Sequence, residues 1–166
     1  MIENKVEKSG LITFNLEDFY PKGERIAFDI AGVLFQGLIL REKDFREFIK
    51  TNDWSVYQDK YVALICSVDA VVPIWSYMLL ATAIEPYAKN VVFGTLETLE
   101  TVLFTEALCK LNITDYQDER VIIKGCSKYP VPVSAYVKLT AMLKPIAKSL
   151  MFGEACSTVP IYKNNI

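Results

Sequence analysis

A segment that occurs twice constrains the fold of this chain more than any other feature of its sequence. Residues 61–94 align with residues 120–153 without a gap. Such internal similarity predicts two copies of one supersecondary unit. The identical pairs are Val62 and Val121, Pro73 and Pro132, Tyr77 and Tyr136, Leu80 and Leu139, Pro86 and Pro145, Ala88 and Ala147, Lys89 and Lys148, Phe93 and Phe152, and Gly94 and Gly153.

Each copy has the pattern of a strand, a helix and a second strand. Both begin with a continuous β-branched run, which is typical of a parallel strand buried on both faces. Pro73 and Pro132 follow where a helix would begin, and a missing N–H group costs nothing there. Pro86 and Pro145 then end or kink each helix. The second strands are expected at Val91–Phe93 and Leu150–Phe152.

The rest of the chain adds further elements. Leucines at helical spacing predict a crossover helix over Thr95–Leu111, and Glu42–Lys50 has the pattern of an amphipathic helix. Leu11–Asn15 is expected to be extended, and Arg25–Leu40 is expected to form a hairpin of two short strands. Together these patterns predict one α/β domain over residues 1–166. It would contain a mixed, mostly parallel sheet with flanking helices, an N-terminal hairpin and the duplicated β-α-β unit.

Composition limits the partners of the protein. The 166 residues are 52% hydrophobic, which is enough for the interior of one domain. The formal net charge of −2 lacks the basic excess that nucleic-acid binding needs. Apolar stretches such as Ala70–Ile84 are too short and interrupted to span a membrane, and Met1–Lys8 does not resemble a signal peptide. We therefore expect a cytoplasmic protein with reduced cysteines and with neither nucleic acid nor membrane as a partner.

The chain contains no histidine, and this excludes several classes of enzyme. Ser-His-Asp triads, Cys-His pairs and His-ligated metal sites all need an imidazole. Phosphate-binding loops are also missing: Gly32 and Gly37 have a suitable spacing, but Leu38 and Ile39 replace the required lysine and hydroxyl residue. Whether the protein is an enzyme is left open by the sequence.

Three of the four cysteines are expected to meet at one edge of the predicted sheet. Cys66 and Cys126 follow the first strand of each copy, and Cys156 follows the second strand of the second copy. In open α/β sheets, ligands bind beyond the carboxyl ends of the strands. Cys109 lies inside the predicted crossover helix and is expected in the core.

This expected cluster suits a metal or sulfur site. Three thiolates could bind zinc or an iron–sulfur cluster, with Asp69, solvent or a partner as the fourth ligand. Lys124 and Lys128 would favour thiolates there, and Ser67 and Ser127 are further candidate cofactor-binding residues. Ser67 and Asp69 could equally cap the helix that starts at Pro73. Inert, buried thiols are the alternative, because the spacing contains no Cys-x-x-Cys pair and cysteine is often buried as a small apolar residue.

Other polar and aromatic candidates have structural explanations. Tyr77 and Tyr136 occupy equivalent helix positions and could stack on a ligand or belong to the core. Asp29 is most simply a turn residue. Glu17 and Asp18 are adjacent, so on a helix they would not face each other as an acid–base pair.

Four segments carry a family resemblance: KSGLITFNLEDFYPKGER, FQGLILREKDFREFI, IIKGCSKYPVPVSAYVKL and FGEACSTVPIYK. They resemble the bacterial family known as domain of unknown function 2480, over nearly the whole chain. The family has no established activity, so the resemblance implies none. Its members often lie beside genes of the sulfur-mobilisation pathway, which implies an accessory role in iron–sulfur cluster assembly. The positions carried over are Cys126, Cys156 and Cys66.

Three hypotheses follow for the function. The first is a metal- or sulfur-handling accessory protein of iron–sulfur assembly, with Cys66, Cys126 and Cys156 as ligands. The second is a thiol enzyme in which Cys126 or Cys156 accepts sulfur. The third is a non-catalytic interaction module or homodimer, with inert cysteines and an exposed apolar surface around Trp54, Tyr57 and Trp75.

Overall fold

A computed structural model describes residues 10–125 and 128–164 of the chain. These residues form a mixed α/β structure of strands and α-helices, with short 3-10 turns between them. The strands are β1 (Leu11–Asn15), β2 (Arg25–Asp29), β3 (Tyr61–Ile65), β4 (Asn90–Phe93), β5 (Arg120–Lys124), β6 (Ser149–Glu154) and β7 (Ser157–Lys163). The α-helices are α1 (Glu42–Thr51), α2 (Ile74–Ile84), α3 (Leu96–Cys109) and α4 (Val133–Leu143).

The chain divides into two compact units. The terminal unit combines Met1–Pro21 with Leu103–Ile166, and the central unit is Lys22–Val102. The terminal unit holds a four-stranded sheet in the order β1-β5-β6-β7, and the central unit holds a three-stranded sheet in the order β2-β3-β4. The sheets are mostly parallel, as predicted, but the structure has two of them where the sequence predicted one. Each β-α-β copy pairs with a strand of its own, β1 for one copy and β2 for the other, so the two copies belong to separate sheets.

The predicted duplication is confirmed by the structure. One copy is β3-α2-β4 and the other is β5-α4-β6, and both strand pairs are parallel. Their registers are equivalent, since Tyr61 pairs with Asn90 and Arg120 pairs with Ser149. The predicted crossover helix is also confirmed as α3, which connects the copies and contains the boundary between the two units.

The duplication extends beyond the aligned segments. The strands β1 and β2 occupy the same place beside β5 and β3, so that Phe14 and Phe28 are equivalent buried residues. Asn15 and Asp29 end these strands, and each side chain accepts a hydrogen bond from a backbone N–H two residues later. This repeat escaped the sequence comparison because β1 and β2 are adjacent in the chain and share only a short pattern, an aromatic residue followed by Asn or Asp.

The predicted N-terminal hairpin is wrong. Of the residues 25–40, only β2 is a strand, and it pairs in parallel with β3. A 3-10 turn at Ile30–Val33 follows it, and antiparallel pairing is limited to one bridge between Phe35 and Ile39. The side chain of Asp29 caps this turn, which takes the chain out of the extended conformation.

Each unit has its own apolar core. In the central unit, α1 and α2 pack against β2 and β3 through residues such as Phe45 and Leu80. Trp54 and Tyr57 belong to this core, with 8% and 9% of their surfaces exposed, so the prediction that they lie on the surface is wrong. The Trp54 ring N–H donates to the Ile49 carbonyl at 2.8 Å, which satisfies its polar atom inside the core.

No helix in the described residues is long and apolar enough to cross a membrane.

Candidate functional site

Polar side chains gather at the carboxyl ends of β2 and β3, where α/β sheets usually bind ligands. Asp29 ends β2, and its Oδ1 atom accepts hydrogen bonds from the backbone N–H groups of Ala31 and Ser67, both at 3.0 Å. The pKa of Asp29 is lowered, chiefly by a hydrogen bond from the Ser67 side chain and also by these N–H groups. The carboxylate thus fixes the loop after β3 to the end of β2.

Cys66 and Tyr77 lie beside this carboxylate. Cys66 is half-buried, and its thiol donates to the Val68 carbonyl at 3.3 Å. Burial raises the pKa of the Tyr77 phenol, with smaller contributions from Cys66 and Asp29. The Tyr77 ring also makes an edge contact with Phe93, at 5.0 Å between centroids. A protonated phenol, a thiol and a carboxylate therefore share this edge of the sheet.

The groups beside Cys66 differ from those that usually activate a cysteine nucleophile. A cysteine nucleophile is activated by neighbouring positive charge, by a helix N-terminus or by a base such as histidine. The polar groups beside Cys66 are instead an anion, Asp29, and a neutral phenol, Tyr77. Such groups can orient a ligand through hydrogen bonds.

An apolar groove of about 610 Å³ adjoins this edge in the central unit. The terminal unit has an equivalent groove of about 390 Å³ beside α4. The central groove is lined by Leu64, Ala70, Val72, Ile74, Tyr77, Met78, Ala81, Val91 and Phe93. The terminal groove is lined by Ile123, Val133, Tyr136, Thr140, Met151, Phe152 and Ile161. Duplication has therefore preserved an open apolar groove on both units.

Each groove is bordered by exposed apolar side chains on its helix. On α2, Ile74 and Met78 are 79% and 65% exposed, and on α4 the equivalent Val133 and Val137 are 77% and 64% exposed. The spacing of four residues places each pair on one helix face. Sequence reasoning did not single out these residues, because α2 is apolar all round and its sequence does not show which side packs inward.

The prediction that Cys66 and Cys156 lie at one edge of a single sheet is wrong. Cys66 follows β3 of the three-stranded sheet, whereas Cys156 is exposed in the turn between β6 and β7 of the four-stranded sheet. Cys126, with Ser127, lies outside the described residues. Asp69 is exposed in the loop between β3 and α2. Within residues 10–125 and 128–164, no group of three or more acidic or cysteine side chains could hold a metal ion.

The remaining predicted residues have structural partners. The Lys124 ammonium lies 3.4 Å from the Glu154 carboxylate, and the Lys128 ammonium lies 5.3 Å from the centre of the Tyr129 ring. Ser67 is held by Asp29, as described above. Cys109 is exposed at the end of α3, so the prediction that it lies in the core is wrong.

Glu17 is a buried carboxylate to which sequence reasoning gave no role. Its Oε1 atom accepts hydrogen bonds from the backbone N–H groups of Lys128 and Tyr129, at 2.8 and 3.0 Å. The Tyr129 ring also stacks on Tyr20 at 4.4 Å. These contacts anchor the loop between β5 and α4. No local sequence pattern could have predicted this contact, because Glu17 and Lys128 are far apart in the sequence.

A comparison with protein families finds one family model over the chain. It is described as Protein of unknown function (DUF2480), and it matches residues 1–164. No curated protein and no solved structure matches the chain.

Proposed function

Because the chain belongs to this DUF2480 family, whose description assigns no activity, we propose from its own surface that it is a non-catalytic interaction module that associates with a second copy of itself. The observation that carries the proposal is the pair of equivalent apolar helix faces on α2 and α4. We call them the α2 stripe and the α4 stripe. The α2 stripe is Ile74, Met78 and Thr82, and the α4 stripe is Val133, Val137 and Ala141.

Exposure of these stripes is costly in water. Large apolar side chains on one helix face make a continuous patch, and such patches mark interaction surfaces. Burying a side chain of this size contributes about 1.5–3 kcal/mol when it is fully removed from water. The exposed Phe93 and Phe152 beside the grooves enlarge each patch. A partner that covers them would gain most of its binding energy there.

Charge at the ends of the stripes favours a second copy as the partner. The next exposed position on the same helix face is Glu85 after α2 and the equivalent Lys144 after α4. The two stripes are therefore both mainly apolar and carry opposite charges at the same end. If α2 of one copy packs in parallel against α4 of the other, Glu85 faces Lys144. A symmetric pair of chains contains this contact twice.

Sedimentation equilibrium tests the proposal directly. We expect a mass above the 18.8 kDa of one chain, with association that strengthens as concentration rises. Met78→Glu or Val137→Glu should weaken it by about 2–3 kcal/mol, roughly a hundredfold in Kd, because a charge is buried without a partner. Val56→Glu is the matched control, since Val56 is 52% exposed on a 3-10 turn outside both stripes.

Charge reversal tests which stripes meet. Glu85→Lys alone should weaken association about tenfold, because it places two cations opposite each other in both contacts. The double variant Glu85→Lys/Lys144→Glu should restore it. A chain that stays monomeric at all concentrations would overturn self-association. Association that is unchanged by Met78→Glu and Val137→Glu would show that the interface lies outside these stripes.

A metal- or sulfur-handling role is the second candidate. One observation favours a version of it that uses two cysteines of this chain in place of three. The strands β5 and β6 are adjacent and parallel, and Cys126 and Cys156 follow their carboxyl ends in the sequence. We propose these two cysteines, with a partner supplying further ligands, as the zinc or iron–sulfur ligands of an accessory protein. Lys124, Lys128 and Ser127 stay predicted cofactor-binding residues of this site, and iron–sulfur assembly proteins stay its predicted partners.

Anaerobic purification tests this second candidate. Bound zinc, iron and acid-labile sulfide are measured in the native protein and in the Cys126→Ser/Cys156→Ser variant. Cys66→Ser/Cys109→Ser is the matched control, because it removes the same number of thiols elsewhere. Metal lost only in the first variant supports the site. A metal-free protein with one rapidly alkylated cysteine would favour a sulfur-accepting thiol enzyme instead.

A further inference from the structure

A row of basic and hydroxyl side chains crosses the sheet of the terminal unit at the first residues of β5 and β6 and the last residue of β7. Arg120 on β5 pairs with Ser149 on β6, and Ser149 pairs with Lys163 on β7. Residues directly opposite each other on neighbouring strands project from the same face. The backbones of Arg120 and Lys163 are therefore roughly 10 Å apart, at twice the spacing of neighbouring strands, with the Ser149 hydroxyl between them.

This row borders an open cavity of about 490 Å³. Lys148 lines it as a third cation, and Thr158 and Tyr162 add hydroxyl groups. The other lining residues are apolar: Leu11, Leu150, Met151, Ala155 and Pro160. The cavity thus combines an apolar floor with a cationic rim.

The cations of this rim have no acidic partner among the described residues. Arg120, Lys148 and Lys163 are exposed, and no ion pair in residues 10–125 and 128–164 involves them. The described sheet of the central unit has no counterpart of β7. Its row consists of Arg25, Tyr61 and Asn90, the equivalents of Leu11, Arg120 and Ser149, and its one cation is paired with Glu100.

Three like charges around one cavity repel one another, and an anion between them would relieve the repulsion. Arginine and lysine both donate charge-assisted hydrogen bonds to carboxylates. An apolar floor of this kind needs an apolar group to cover it. We propose that the cavity binds a small organic anion, a carboxylate whose hydrocarbon part lies on Leu11, Met151 and Pro160.

Octanoate is the probe for this site, and isothermal titration calorimetry measures its binding. Acetate carries the same charge without the hydrocarbon part, and 1-octanol carries the hydrocarbon part without the charge. We expect saturable 1:1 binding of octanoate that weakens as ionic strength rises. Acetate and 1-octanol should each bind at least roughly tenfold more weakly.

Variants locate the site. Arg120→Gln and Lys163→Gln should each weaken octanoate binding by roughly tenfold, because each removes a charge-assisted hydrogen bond. Lys43→Gln/Lys50→Gln is the control for net charge, since both lysines are exposed on α1 of the central unit. Circular dichroism confirms that each variant is folded. The same titration on Met78→Glu separates binding from self-association.

Three results would overturn the proposal. The first is the absence of saturable octanoate binding. The second is equal binding of 1-octanol, which would reduce the cavity to an apolar groove. The third is an octanoate affinity that falls equally in Lys43→Gln/Lys50→Gln, which would reduce the effect to net charge.

Discussion

The Nε atom of Arg25 lies 2.5 Å from the Glu100 carboxylate, and their side chains are only 9% and 15% exposed. Arg25 also donates to the Gly23 carbonyl at 2.6 Å and lies over the Tyr61 ring at 5.0 Å. This ion pair links β2 to α3 inside the central unit. The burial of each charge therefore depends on the presence of the other.

Removal of one member of this pair should destabilise the fold. Glu100→Ala removes the carboxylate that binds the largely buried Arg25 guanidinium, and we expect a loss of about 3 kcal/mol in the free energy of unfolding. Urea denaturation measures it. Glu42→Ala is the control, because it breaks the exposed Arg46–Glu42 pair on α1 and should cost less than about 0.5 kcal/mol. Equal losses in the two variants would contradict the structural distinction.

Glu17 should stabilise the loop between β5 and α4. Glu17→Ala leaves the N–H groups of Lys128 and Tyr129 without their acceptor, and we expect a loss of about 2 kcal/mol. Hydrogen exchange should show faster exchange of these two amides. The neighbouring Asp18 is exposed, so Asp18→Ala should leave both amides protected. Unchanged protection in Glu17→Ala would show that the carboxylate does not hold the loop.

Asp29 should make the stability of the fold depend on pH. Its folded pKa lies below the ordinary value of 3.8, so its charge stabilises the folded state above that pH. This contribution is lost as pH falls through the folded pKa. Asp29→Asn keeps a capping side chain, as Asn15 does at the equivalent position, but removes the charge. The difference in stability between wild type and variant should be largest near pH 7 and shrink below pH 3.8.

Urea denaturation at pH 7 and at acid pH measures that difference. Asp69→Asn serves as the control, because Asp69 is exposed in the following loop. A difference between wild type and Asp29→Asn that is the same at every pH would contradict the prediction.

The close approach of the Tyr136 side chain requires a glycine at residue 125. A Cβ atom at residue 125 would overlap the Tyr136 hydroxyl. We expect Gly125→Ala to cost about 2 kcal/mol, as overpacking usually does. Gly125→Ala/Tyr136→Phe should recover part of this loss relative to Tyr136→Phe alone, since the overlapping oxygen is gone. In Gly32→Ala, by contrast, the added Cβ atom meets nothing within 4 Å.

A double-mutant cycle from thermal or urea unfolding tests this contact. A coupling energy near zero between residues 125 and 136 would contradict it. The central unit offers a comparison, because Cys66 stands where the terminal unit has Gly125, beside the equivalent Tyr77.

The local elements of the fold could be predicted from the sequence. β-branched runs, prolines and leucines at helical spacing identified β3, α2, β4, α3, β5, α4 and β6, because these patterns reflect hydrogen bonding and burial within short segments. The hairpin prediction failed at Asp29, whose side chain caps a turn. Trp54 and Tyr57 were misplaced because burial of an aromatic residue on a short turn depends on what packs over it.

The candidate sites could not be predicted from the sequence, because they depend on contacts between distant segments. Cys66 and Cys156 each follow a strand, but the strand order decides whether the ends of two strands lie side by side. Two separate sheets formed because β1 pairs with β5 and β2 pairs with β3, and similar apolar runs do not specify these long-range pairings. The sequence by itself determined the duplicated β-α-β unit through local periodicity. Only the tertiary structure decided which side chains share a surface, since that follows from strand pairing across distant segments.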